Sequence, residues 1–139
     1  MNIKSNKNGF TLVELLVVTT IIILLSSVAV VSYQSAGKKS RDNKRKADLE
    51  QIRSALEMYR SDNNQYPAGN FSQMTTALKN AGFLTEAPSD PKGYSYYYKQ
   101  TTTTSYDLCA YLESGGPANC GNNCSAPGGA VCNYKVTNP

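Results

Sequence analysis

Histidine and tryptophan are both absent from this sequence of 139 residues. Without an imidazole, the commonest general base and the commonest metal ligand are missing. No pair of carboxylates stands beside a base and no glycine-rich phosphate loop occurs, so nothing in the chain argues for an enzyme. Acidic residues stop at Glu113, and residues 114–139 hold neither Asp nor Glu. Charge is scarce at the other end too. From Phe10 to Val31 there are 22 residues in which Glu14 is the only ionisable side chain and proline does not occur.

That stretch is what the chain is organised around. At about 1.5 Å of rise per residue it covers a hydrocarbon core of about 30 Å, so it reads as one membrane-spanning helix in contact with a lipid bilayer. Its polar interruptions are Thr11, Thr19, Thr20, Ser26 and Ser27, hydroxyls that can bond back to a carbonyl of the preceding turn. A carboxylate costs roughly 2.5 to 3.5 kcal/mol at the centre of a span and less near the interface. Glu14, four residues after Phe10, either snorkels to the headgroups or meets a cation inside the membrane. A cut after Gly9 would supply that cation, as the new amino group of Phe10 on a neighbouring copy.

Lys4, Lys7, Gly9, Phe10, Thr11, Leu12, Val13, Glu14, Leu15 and Leu16 resemble the class III type IV prepilin signal, with its G-F-T-L-x-E-L-L core. The resemblance implies a membrane-embedded aspartic peptidase that cuts between Gly9 and Phe10 and methylates Phe10. It also implies that Glu14 helps to dock each subunit onto a growing filament of identical chains at an inner-membrane assembly platform. An ordinary secretory signal would instead end its shorter apolar core in a small-residue cleavage site. Here the cut precedes the apolar run.

Loss of the leader leaves 130 residues, about 108 of them outside the bilayer, enough for one small domain. The formal charge of +4 falls to +2 when Lys4 and Lys7 are removed, too little to indicate nucleic acid from net charge. All four cysteines lie beyond residue 108 and point to an oxidising, extracytoplasmic compartment. The positive-inside rule argues the other way, because Lys38, Lys39, Arg41, Lys44, Arg45 and Lys46 follow the span and only Lys4 and Lys7 precede it. The cysteines and the prepilin resemblance are taken to outweigh it. The location expected is therefore a single pass in the inner membrane before assembly and an extracytoplasmic or cell-surface filament after it. The basic run reads as a solvated helical face pairing with Asp42, Asp48 and Glu50; it carries no interleaved aromatics for stacking bases.

From Ala47 to Asp62, Leu49, Ile52, Ala55, Leu56 and Tyr59 form one apolar stripe at helical spacing. With nothing to force a stop before it, residues 32–62 continue the spanning helix, giving about 53 residues from Phe10 that end at Asn63, Asn64 and Pro67. Residues 63–139 are left for a globular head. Within it, Ser72 to Ala81 reads as a short helix capped by Ser72 and stopped by Gly82. Tyr94 to Gln100 reads as a first strand, with Tyr94, Tyr96 and Tyr98 on its core face, Thr101 to Ser105 as a turn, and Tyr106 to Glu113 and Ala130 to Val136 as further strands. The fold class is α+β: a long helix packed on a small three-stranded antiparallel sheet.

Tyr59-Arg60-Ser61-Asp62-Asn63-Asn64-Gln65-Tyr66-Pro67 and Asp90-Pro91-x-Gly93-Tyr94 with Tyr96 are similar to segments of the major pseudopilins of type II secretion and of related pilins. Such subunits commonly carry acidic residues in a carboxyl-terminal loop that bind calcium. The acid-free residues 114–139 depart from that pattern, so no cofactor or metal is expected and two disulfides are the expected means of closing the loop. A span without proline departs from many relatives as well. Three complete pairings of Cys109, Cys120, Cys124 and Cys132 are open. If the second and third strands pair, Cys109 can face Cys132 and leave Cys120 with Cys124, and this pairing is the one expected. A zinc site would need two further ligands beside Cys120 and Cys124, and His is absent. The filament subunit remains, with a type IV pilus and a secretion pseudopilus both open. The alternative is a single-span anchored binding domain, which leaves Gly9-Phe10 and Glu14 unexplained.

Overall fold

The computed structural model describes residues 9–117, 120–121 and 124–138; the leader residues Lys4 and Lys7 lie outside it. Helix α1 runs Leu12–Asn63, followed by α2 (Phe71–Asn80), β1 (Tyr97–Thr102), β2 (Ser105–Ala110), a 3-10 turn at Pro127–Gly129 and β3 (Tyr134–Thr137). The chain divides into two compact units, one ending at Gly37 and one beginning at Lys38.

In the first unit the apolar side chains from Leu12 to Leu25, and Val28, are all exposed. The helix is long and apolar enough to cross a membrane. Thr19, Thr20 and Ser27 each donate a hydroxyl to the carbonyl three residues back, at Leu16, Val17 and Leu24, so their polar groups are satisfied without water.

In the second unit the α1 stripe supplies Leu49, Ile52, Ala55 and Leu56 to a core completed by Tyr66, Met74, Leu78, Leu84, Tyr96, Tyr98, Tyr106, Leu108, Ala110 and Val136. Asn64 ends α1 in the left-handed region at φ 58°, a conformation asparagine tolerates. Helix α2 is capped two residues earlier than Ser72. Asn70 is the cap, accepting the Gln73 N–H while the Gln73 side chain accepts the Asn70 N–H, a capping box. At the other end Gly82, φ 81°, donates to Lys79 O and Phe83 to Leu78 O, the Schellman arrangement that glycine permits.

The sheet is antiparallel in the order β1-β2-β3, with Tyr98, Leu108 and Val136 in register on the core face. Each strand is shorter than the alternation suggests. β1 begins at Tyr97 rather than Tyr94 because Asp90 Oδ1 accepts the N–H groups of Lys92 and Tyr94, and Ser95 donates to Cys124 O. β2 ends at Ala110 rather than Glu113, where the buried Asn133 amide takes over: its Oδ1 accepts the Leu112 N–H at 2.6 Å and its Nδ2 donates to Leu112 O at 2.9 Å. β3 begins at Tyr134 rather than Ala130, after the Pro127–Gly129 turn and Cys132.

The disulfides differ from the pairing expected. Cys109 is bonded to Cys120 and Cys124 to Cys132, with Cα separations of 6.4 and 5.3 Å. The register gives the reason: Cys109 lies opposite Lys135, three residues past Cys132, or about 10 Å along a strand, so Cys109 and Cys132 never face each other. Cys109, Cys124 and Cys132 are fully buried and, with Tyr97, Tyr111 and Cys120 against them, form a second apolar cluster.

Candidate functional site

Gly9 and Phe10 precede α1 and are exposed, Phe10 by 83%. Thr11 then starts the helix. Its hydroxyl accepts the Glu14 N–H at 3.2 Å, while Glu14 Oε2 accepts the Thr11 N–H at 2.9 Å and the Thr11 hydroxyl at 2.8 Å. This is a reciprocal capping box, which satisfies two of the donors a helix start leaves open. Glu14 is thus held by its own chain before any neighbour is considered. The signal for it in the sequence is Thr-x-x-Glu ahead of an apolar run.

The basic run after the span is the solvated face expected at Lys38, Lys39, Lys44 and Lys46, which are exposed, but not at its two arginines. Arg45 is fully buried and Arg41 is partly covered. The Arg45 guanidinium binds Asp90 through Nε and Nη2, and through Nη1 it reaches Asp42 Oδ1 at 2.8 Å and Glu113 Oε1 at 3.0 Å. Arg41 grips Glu113 with two bonds of 2.7 Å, and Lys92 adds a third partner at 3.1 Å. Asp42 also accepts the N–H groups of Glu113 and Ser114 at 2.9 and 2.8 Å and the Ser114 hydroxyl. Lys44 pairs with Asp48 at 3.2 Å.

These contacts set the protonation states. The Arg41 bond holds the Glu113 carboxyl far below its ordinary value against the effect of burial, with Arg45 and Lys92 adding to the shift. For Asp42, burial pushes upward but is outweighed by Ser114, the Glu113 N–H and Arg45; for Asp90, burial is outweighed by Arg45 and the N–H groups of Lys92 and Tyr94. All three stay ionised around a guanidinium whose own proton is held more tightly than usual, its burial offset by Asp90, Glu113 and Asp42.

A membrane-length apolar helix that opens on a capped carboxylate and continues beneath a small antiparallel head defines a pilin-type subunit. The family model described as type II secretion system protein G matches residues 32–125, and the prokaryotic N-terminal methylation motif matches residues 4–30. The chain belongs to the type II secretion protein G family. It is 29% identical over 131 residues to the type II secretion system core protein G of Pseudomonas aeruginosa, covering 84% of this chain and 92% of that one. It is 31% identical over 104 residues to that of Aeromonas hydrophila, covering 67% and 73%. The Type IV wide pilus major component of Thermus thermophilus is 32% identical over 105 residues, covering 76% and 73%. No solved structure matches the chain.

Proposed function

We propose that this chain is the repeating structural subunit of an extracytoplasmic filament of the type IV pilus or secretion pseudopilus kind. It enters the inner membrane through residues 10–31, is cut by a prepilin peptidase between Gly9 and Phe10, is methylated on Phe10 and polymerises at an assembly platform through its apolar helix. The observation that carries this reading is the set of apolar side chains from Leu12 to Val28 exposed around the helix, with Glu14 as its lone carboxylate. Lipid covers such a surface before assembly; other copies of the same helix cover it afterwards. Two disulfides in the head support an oxidising location.

Excluding lipid and water around Glu14 leaves an unpaired carboxylate costly by several kcal/mol. The Thr11 box offsets part of that cost, and the amino group freed by cleavage, on an adjoining helix, offsets the rest. Glu14→Leu removes the carboxylate and keeps the span apolar. The expected outcome is normal insertion, normal cleavage and a folded head, but few or no filaments when cells are sheared and the pellet is compared with the membrane fraction by immunoblot. A wild-type yield of filaments from Glu14→Leu would show that Glu14 only snorkels and defeat its role in assembly, and a wild-type chain that is never found in sheared filaments would defeat the filament reading itself.

A further inference from the structure

Subunits resembling this one commonly use calcium in an acidic carboxyl-terminal loop, and the residues of this loop do not fit that ion. Residues 114–139 contain no carboxylate side chain, while calcium takes six to eight oxygen ligands, several of them charged. Among the described residues no group of three or more His, Cys, Asp or Glu is arranged to hold a metal. The acids nearest the loop are already spoken for. Glu113, the last in the chain, receives Arg41, Arg45 and Lys92, and Asp42 receives the backbone of Glu113 and Ser114, where the loop begins.

The acids that gather beside the loop are instead arranged around a guanidinium, that of Arg45. Three carboxylates converge from three separate parts of the chain: Asp42 on α1, Asp90 before β1 and Glu113 after β2. Their side chains are 5%, 1% and 8% exposed, and that of Arg45 is 0% exposed. A guanidinium presents five donors in a planar fork and cannot lose its proton in a protein. Three cations, Arg41, Arg45 and Lys92, balance the three carboxylates, so an added divalent ion would find no uncompensated charge.

We propose that Arg45, rather than a divalent ion, gathers Asp42, Asp90 and Glu113, and so ties the start of the carboxyl-terminal loop and the Asp90 turn to α1 without a metal. The head then folds and assembles independently of divalent cations. The inference rests on the filament reading only for assembly, and its test is made on the unassembled subunit, so the two can fail separately.

The full-length mature chain in detergent micelles, disulfides intact, is melted by near-ultraviolet circular dichroism in excess EDTA and in millimolar calcium. The wild-type midpoint is expected to be the same in both. Arg45→Gln leaves three buried carboxylates without their shared partner, and its midpoint in EDTA should fall by more than about 10 °C. Calcium should leave that fall in place, because the three carboxylates are not arranged to hold a metal ion. Should Arg45→Gln not fold, Arg45→Lys, which keeps the charge and loses the fork, should fold with a lowered midpoint that is indifferent to EDTA. A wild-type midpoint that drops in EDTA, an Arg45→Gln chain that melts like wild type, or a fall that calcium recovers would each overturn the proposal.

Discussion

Thr11 and Arg45 show how differently two residues announce themselves. Thr11 stands three positions before Glu14, and every partner in their box is local, so the pair is readable wherever a helix start is recognised. Arg45 sits in a run of six basic residues, and two of its three carboxylate partners lie 45 and 68 positions away. Composition places it in solvent; only the folded chain reveals it as the most deeply buried charge among the described residues. At Thr11 the structure makes a specific demand. Thr11→Ala removes the hydroxyl that caps the helix, a loss of about 1 kcal/mol, so amide exchange over residues 13–15 in micelles should quicken about five-fold. Thr11→Ser should restore the slow rate. Equal exchange in Thr11→Ala and wild type would mean that the box does not hold the helix start.

Among the elements, the helices and the inward face of the sheet were readable because their periodicity is long and their buried residues are apolar. Leu49, Ile52, Ala55 and Leu56 on α1, and Tyr106, Leu108 and Ala110 on β2, lie where the spacing put them. Strand ends were not readable, since they are decided by side chains from elsewhere. Asn133 replaces a strand at Leu112, and Asp90 with Cys124 holds residues 92–95 out of the ladder. The disulfides follow the same logic: a register difference of three residues between β2 and β3 is invisible in the spacing of cysteines, yet it selects the bonded partners. Proteolysis of the non-reduced mature chain should therefore release peptides joining Cys109 to Cys120 and Cys124 to Cys132, resolved by mass spectrometry after cleavage between Cys120 and Cys124. A peptide joining Cys109 to Cys132 would contradict the register of β3 itself.

Across the whole head, the ion cluster joins segments that the apolar core leaves at its margin, and its chemistry gives the molecule a definite response to acid. Asp42 and Asp90 titrate below an ordinary 3.8 and Glu113 below an ordinary 4.5. A carboxyl whose folded pKa lies below its unfolded value contributes stability that is fully present above the unfolded value and is lost as the pH falls through the folded one. The direction is the same for all three, so their contributions add. The melting midpoint of the head should be level around neutral pH and should fall steadily from about pH 5 downward as the unfolded chain takes up protons that the folded cluster refuses. Glu113→Gln removes the most strongly shifted of the three and leaves Arg41 and Lys92 without their carboxylate. That variant should melt lower at neutral pH and decline less steeply in acid, so that the two curves approach each other as the pH drops. Calorimetric scans of both proteins at matched ionic strength make the comparison. Parallel curves would show that the acid response comes from groups outside the cluster, and a level wild-type curve down to about pH 3 would show that these carboxylates are no more acidic folded than unfolded.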